Sequence, residues 1–204
     1  MKSSASLMLS LVLLTVMAPA DESPFLYGIH DHDPDPSEFL NHIKAGTGGT
    51  GGWVTATVAV GANTNDFSGA NFSALANAGH TVICRINNGY FPDGTIPVAT
   101  KYDDFAVRCK NFVANSTGCT IWLIGNESNL NVEWPLDSSN NRFNYLSPAS
   151  YAACFRKCYN AIKSVRPGDK VMPQALAPWG GPYGSTTDLN GSGFPADGVP
   201  LNWV

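Results

Sequence analysis

Apolar runs alternate with amphipathic segments along the chain, and their order predicts an α/β fold. Five short runs rich in β-branched and aromatic residues have the length of strands. They lie at 25–29, 53–60, 81–85, 120–125 and 171–177. Because these runs are almost continuously apolar, they are typical of parallel strands that are buried on both faces.

Helical periodicity fills the intervals between the predicted strands. Segment 101–115 places its apolar residues on one face, and Ser147-Pro148 is typical of the start of a helix that ends before Pro167. Shorter helices are predicted at 36–45 and 72–78. Strands that alternate with helices indicate βαβ units, with a parallel sheet and helices outside it.

Two architectures fit five such units. One is an open, doubly wound sheet, and the other is a (β/α)₈ TIM barrel. A complete barrel takes about 250 residues, whereas the chain has 204 residues and ends on an apolar segment, 201–204. We therefore expect an α/β fold of the (β/α)₈ barrel type, truncated after about five βα units.

The amino-acid composition and charge exclude some classes of function. The hydrophobic fraction is 44%, as in a globular domain, and the net charge is -4. Lys and Arg are not clustered, so a surface that neutralises phosphates is not indicated and nucleic acid is excluded as a partner. The sequence does not indicate the oligomeric state.

The N-terminus has the pattern of a signal peptide. Lys2 precedes an apolar segment, 7–17, and Ala18-Pro19-Ala20 fits a cleavage site between small residues. We predict a signal peptide at 1–20 and a partial catalytic domain at 21–204, in a secreted or periplasmic protein. The apolar segment is shorter than the ~20 residues of a membrane span, so no membrane partner is expected after cleavage.

Five cysteines in an exported protein suggest some disulfide pairing. Cys109 and Cys119 flank a helix-to-strand connection and make a plausible disulfide. Cys84 falls in a predicted strand, where burial is expected. Cys154 and Cys158 share one helix face, and packing in the core is favoured there over a metal site.

Gly125-Asn126-Glu127 follows the fourth predicted strand and is the most informative motif of the chain. Burial disfavours a charged carboxylate, so a carboxylate at the end of a buried strand is expected to be paired with another group or to serve in catalysis. Barrel enzymes also keep their catalytic groups at the carboxyl ends of the strands. Glu127 is therefore a candidate general acid/base, and the alternative is a carboxylate that caps the next loop or pairs with a structural Arg.

Segment 121–129 resembles the strand-four signature of the clan A glycoside hydrolases, which are retaining (β/α)₈ enzymes. Gly125, Asn126, Glu127 and Asn129 match that signature, whereas Ser128 replaces its usual Pro. The resemblance implies that Glu127 is the acid/base and that Asn126 contacts the sugar hydroxyl next to the reacting carbon.

The resemblance thus implies a retaining glycoside hydrolase that cleaves O-glycosidic bonds in a poly- or oligosaccharide, and the predicted signal peptide implies that it is exported. One alternative is a non-catalytic, carbohydrate-binding relative of the barrel enzymes. Another is an open-sheet α/β protein in which Glu127 is structural.

Retaining hydrolysis needs a second carboxyl group about 5 Å from the first. The resemblance implies a nucleophilic Glu at the end of strand seven, which we expect to lie beyond Val204. Within the chain Asp31, Asp33 and Glu133 are candidates, but none of them matches the family's position. We therefore expect this chain to lack the nucleophile.

Other polar and aromatic residues follow the predicted strands. His30 is a candidate for substrate contact. Arg85 and Asn88 end strand three, where Arg85 either holds the nucleophile ionised or forms a structural salt bridge. Trp179, after strand five, has the amphipathic ring that stacks on sugar faces. Tyr90 and Trp134 are weaker candidates of the same kind.

The run His30-Asp31-His32-Asp33 contains metal-ligand residue types. It lacks the spacing of the standard sites and a distant third ligand. We therefore predict neither a metal nor a cofactor.

Overall fold

A computed structural model describes residues 28–30, 41–42, 44–45, 49, 51–137 and 142–177. Within these residues five strands form one sheet, in which every neighbouring pair is parallel. The strands are β1 (Gly28–His30), β2 (Trp53–Ala59), β3 (Thr81–Asn87), β4 (Ile121–Ile124) and β7 (Lys170–Pro173). Two further strands, β5 (Leu136–Asp137) and β6 (Arg142–Phe143), form a separate antiparallel hairpin.

Along the chain, helices connect successive strands of the sheet. They are α1 (Ser73–Asn77), α2 (Tyr102–Ala114) and α3 (Pro148–Val165), with 3₁₀ turns at Ala99–Lys101 and Asn131–Glu133. Residues 41, 42, 44 and 45 are also helical. The predicted α/β class is therefore confirmed, with the strands close to their predicted positions. The signal peptide predicted at 1–20 lies outside the described residues.

The order of strands in the sheet, β1-β2-β3-β4-β7, follows their order in the chain. A doubly wound sheet reverses its strand order at a switch point, and the described strands contain no such reversal. The motif Gly125-Asn126-Glu127 directly follows β4, which is the fourth strand of the sheet.

The two faces of the sheet differ in character. One face packs against α2 and α3, and its buried residues include Cys84, Ile86, Trp122 and Ile124. Because side chains alternate along a strand, the residues between these face the other way. On that second face lie the partly exposed residues His30, Thr57, Arg85, Leu123 and Met172.

Helix α3 begins where the sequence predicts. The hydroxyl oxygen of Ser147 accepts a hydrogen bond from the backbone N–H of Ser150 (3.1 Å), and Pro148 occupies the first helical turn. Both features are typical of helix starts, since they leave fewer backbone N–H groups without partners.

We expect Ser147→Ala to lower the free energy of unfolding by about 1 kcal/mol, because the cap hydrogen bond is lost. Urea denaturation followed by circular dichroism measures the change. Ser147→Asp restores an acceptor at the same position and is expected to keep most of the stability. Equal losses in the two variants would contradict the capping role.

All five cysteines are buried free thiols. The disulfide considered between Cys109 and Cys119 is therefore wrong. Helix α2 turns Cys109 towards the thiol of Cys158 on α3, whereas the thiol of Cys119 donates to the carbonyl oxygens of Val82 (3.4 Å) and Ile121 (3.2 Å). Burial raises the pKa of the Cys109 thiol. These thiols pack as small apolar groups, as predicted for Cys84, Cys154 and Cys158.

Candidate active site

The backbone turns sharply at the carboxyl end of β4. Gly125 has a φ of 79°, and Glu127 has a φ of 35°, the one positive φ of a non-glycine residue in the described part of the chain. This left-handed conformation costs a residue with a side chain about 1–3 kcal/mol. It is held by hydrogen bonds from Glu127 N to Ala175 O (3.2 Å) and from Leu130 N to Glu127 O (2.8 Å). Such strain clusters at functional sites.

Ser128, which stands where the resembled signature has Pro, makes hydrogen bonds that a Pro could not make. Its backbone N–H and its hydroxyl both donate to Oε1 of Gln174, at 3.2 and 2.6 Å. A Pro at this position would supply neither donor. The neighbouring Asn129 pairs with Ala177 through two hydrogen bonds (3.1 and 3.0 Å). Both residues therefore fasten the turn to the segment after β7.

The loop after Glu127 folds back onto the strand end. The indole N–H of Trp134 donates to Ser128 O (2.7 Å), and the ring is only 2% exposed. Thr95 joins the two ends of the loop, because its hydroxyl donates to Asn126 O (3.0 Å) and its backbone N–H donates to Glu133 O (3.0 Å). This fold returns Glu133 to the side of Asn126.

Asn126 and Glu133 are joined directly. Nδ2 of Asn126 donates to Oε1 of Glu133 at 2.9 Å. Burial raises the pKa of Glu133 above its ordinary value of 4.5, and the negative charge of Glu127 raises it further. The hydrogen bond from Asn126 and the positive charge of Arg85 lower it. The site thus combines two carboxylates, one carboxamide and one guanidinium.

Buried polar atoms without partners lie on or just after the two strands that flank β4. Arg85 Nε, Asn87 Oδ1 and Gln174 Nε2 have no hydrogen-bond partner among the described residues. Arg85 and Asn87 are in the last part of β3, and Gln174 directly follows β7. A buried polar atom without a partner costs about 1–3 kcal/mol. The carboxyl ends of β3 and β7, which flank β4 in the sheet, therefore keep polar atoms that the described residues do not satisfy.

Two further predicted site residues, His30 and Asn88, make hydrogen-bond contacts with residues other than Glu127. His30, on β1, is 3.4 Å from the hydroxyl of Thr57 through Nε2. It lies three strands from β4, or roughly 14 Å across a sheet with normal spacing. Asn88 donates to the carbonyl oxygens of Asp93 (3.0 Å) and Gly94 (3.3 Å), so it shapes its own loop. Trp179, Asp31 and Asp33 lie outside the described residues.

Of the two weaker aromatic candidates, Trp134 packs inside the loop, whereas Tyr90 is 59% exposed. Tyr90 belongs to the loop after β3, which lines one side of an open groove of about 850 Å³. The groove is lined by residues of the loops after β2 and β3 and of the segments that flank the hairpin, among them Asn63, Asn88, Asp93, Lys101, Pro135 and Asn144.

Within the described part of the chain, no three His, Cys, Asp or Glu residues are arranged to hold a metal ion. No described helix combines the length and the apolar character of a membrane span.

Comparison with known proteins finds no matching family model, no similar curated protein and no similar solved structure. The motif and the geometry of the site therefore carry the functional argument.

Proposed function

We propose that the protein is an exported, retaining glycoside hydrolase of the clan A type, which cleaves O-glycosidic bonds in a poly- or oligosaccharide. Glu127 is its general acid/base, and Asn126 binds the hydroxyl next to the reacting carbon. The observation that carries this proposal is the place of Glu127, in a strained turn at the carboxyl end of the fourth parallel strand. The resemblance assigns the nucleophile to a seventh strand, and we propose none of the described residues for it.

The topology supports a (β/α)₈ barrel as the host of this site. The strands follow one another in chain order, and α2 and α3 cover one face of the sheet. Right-handed crossovers between consecutive parallel strands place successive helices on the same face. The other face, with Arg85 and Thr57, then becomes the interior of the barrel, and the strand ends become its catalytic mouth.

A carbohydrate suits the surroundings of the strand ends. Sugars offer many hydroxyl groups and apolar ring faces, and amide, carboxylate and aromatic side chains complement both. The groove lined by the loops after β2 and β3 has amides and a carboxylate at Asn63, Asn88, Asn144 and Asp93, and prolines supply apolar surface. Its volume lies in the usual range of ligand sites, and the exposed ring of Tyr90 lies on the loop beside it.

The test is turnover of aryl and oligosaccharide glycosides by the whole protein, followed by proton NMR of the first-formed sugar. We expect hydrolysis with retention of the anomeric configuration. Inverted product would overturn the retaining assignment. Saccharide binding in calorimetry without turnover would favour the non-catalytic alternative, and an absence of both would remove carbohydrate as the ligand.

A further inference from the structure

Asn126 has a neighbour that the family resemblance does not assign, namely Glu133. The contact is direct, from Nδ2 of Asn126 to Oε1 of Glu133 at 2.9 Å. Both side chains are partly buried, so water competes weakly for the hydrogen bond. Because one partner is charged when Glu133 is ionised, this bond is stronger than a neutral one.

An ionised carboxylate can only accept hydrogen bonds. Beside ionised Glu133, the amide of Asn126 must therefore turn its nitrogen towards Glu133 and its oxygen away. In this orientation Asn126 offers the substrate one acceptor oxygen and its second N–H. An amide that is held in one orientation before the substrate arrives lowers the cost of binding in the reactive geometry.

The contact is also fixed by the backbone. Thr95 is 1% exposed and bonds the carbonyl oxygens of both Asn126 and Glu133, and Trp134 anchors the loop from inside. The backbone of Glu133 cannot move away from Asn126 without breaking these buried hydrogen bonds. The loop thus keeps the two residues close enough for their side chains to pair.

We infer that Glu133 is a positioning residue, which holds the amide of Asn126 in the orientation that binds the sugar hydroxyl next to the reacting carbon. This inference rests on the proposed glycosidase function and adds a second residue to its binding of that hydroxyl. Two other charged groups act on Glu133, namely Glu127 from the same loop and Arg85 from β3. Its ionisation is therefore coupled to the state of the catalytic carboxylate.

The kinetic test compares a glycoside with its analogue that lacks this hydroxyl. The wild-type protein is expected to prefer the hydroxylated substrate in kcat/KM. In Glu133→Ala this preference is expected to shrink about tenfold, because a hydrogen bond of ordinary strength is lost, and to approach that of Asn126→Ala. Glu133→Gln keeps an acceptor oxygen and is expected to restore most of the preference. A purely structural role would lower turnover of both substrates equally, and that result would overturn the inference.

A second measurement does not need turnover. The side-chain amide signals of Asn126, assigned by their loss in Asn126→Ala, are followed by NMR as the pH changes. We expect a shift with a midpoint above 4.5, the ordinary value for Glu133, and its loss in Glu133→Gln. An equal shift in Glu133→Gln would assign it to Glu127 and overturn the inference. If the Asn126 amide signals shift with the ionisation of Glu133 but no glycoside is hydrolysed, the proposed function fails while the pairing of the two side chains stands.

Discussion

Under the proposed function, and in a protein that carries the nucleophile as well, Glu127→Gln is expected to lower kcat for glycosides with poor leaving groups by a factor of about 10²–10⁴, which is the usual contribution of a general acid or base. A carboxamide cannot give a proton to the departing oxygen. It keeps the size and shape of the carboxyl group, so the strained turn at φ 35° is preserved. Steady-state kinetics on a natural oligosaccharide measures the loss.

A comparison of substrates with different leaving groups separates loss of the general acid from general damage to the protein. An aryl glycoside with an activated leaving group needs little protonation, so its bond cleavage is expected to suffer much less in Glu127→Gln. Asp103→Asn is a matched control, since it removes a carboxylate that is 82% exposed on α2 and is expected to leave kcat unchanged. Because the same residue acts as the base in the second step of a retaining reaction, bond cleavage is compared through kcat/KM. Equal losses of kcat/KM on both substrates, or unchanged turnover of the oligosaccharide, would refute the acid/base role.

The sequence predicts the fold well where local patterns decide it. Continuous apolar runs identify the five sheet strands, and Ser147-Pro148 predicts the start of α3. The motif at Glu127 is placed on the fourth strand by counting these runs. The structure agrees with the count, because the motif directly follows β4, the fourth strand of the sheet.

The remaining features of the site depend on tertiary contacts that leave no periodic signal. Glu133 reaches Asn126 because Thr95, from a different loop, and the indole of Trp134 hold the two ends of the segment together. The hairpin of β5 and β6 has two-residue strands, too short for an alternation pattern to show. Cys109 illustrates the same limit, since its position in the chain suggested Cys119 but the packing of α2 on α3 brings it to Cys158.

Ser128 departs from the resembled family pattern, but its hydrogen bonds give it a structural role. In sequence it weakens the resemblance, because the signature has Pro there. In the structure both of its donors bind Gln174, a residue that directly follows β7. The turn that presents Glu127 is thus fixed by hydrogen bonds that Ser128 donates to the adjacent strand end, instead of by the rigid ring of a Pro.

The strand that presents the site depends on one large side chain. Trp122 of β4 is 1% exposed, and its ring meets Phe112 of α2 edge to face at 6.1 Å. Its indole N–H donates to Oδ2 of Asp169, just before β7, at 2.8 Å. It therefore joins the sheet, a covering helix and the next connection, three residues before Gly125.

Trp122→Ala is expected to lower the free energy of unfolding by about 3–5 kcal/mol, because it leaves a large cavity in the core. Chemical denaturation followed by circular dichroism measures the loss. Trp122→Phe keeps most of the apolar volume and loses the hydrogen bond to Asp169, so we expect a cost nearer 1–2 kcal/mol. A loss below about 1 kcal/mol in Trp122→Ala would contradict the packing of β4. Because total stability is only about 5–15 kcal/mol, the alanine variant is also expected to lose much of the order that holds Glu127 in place.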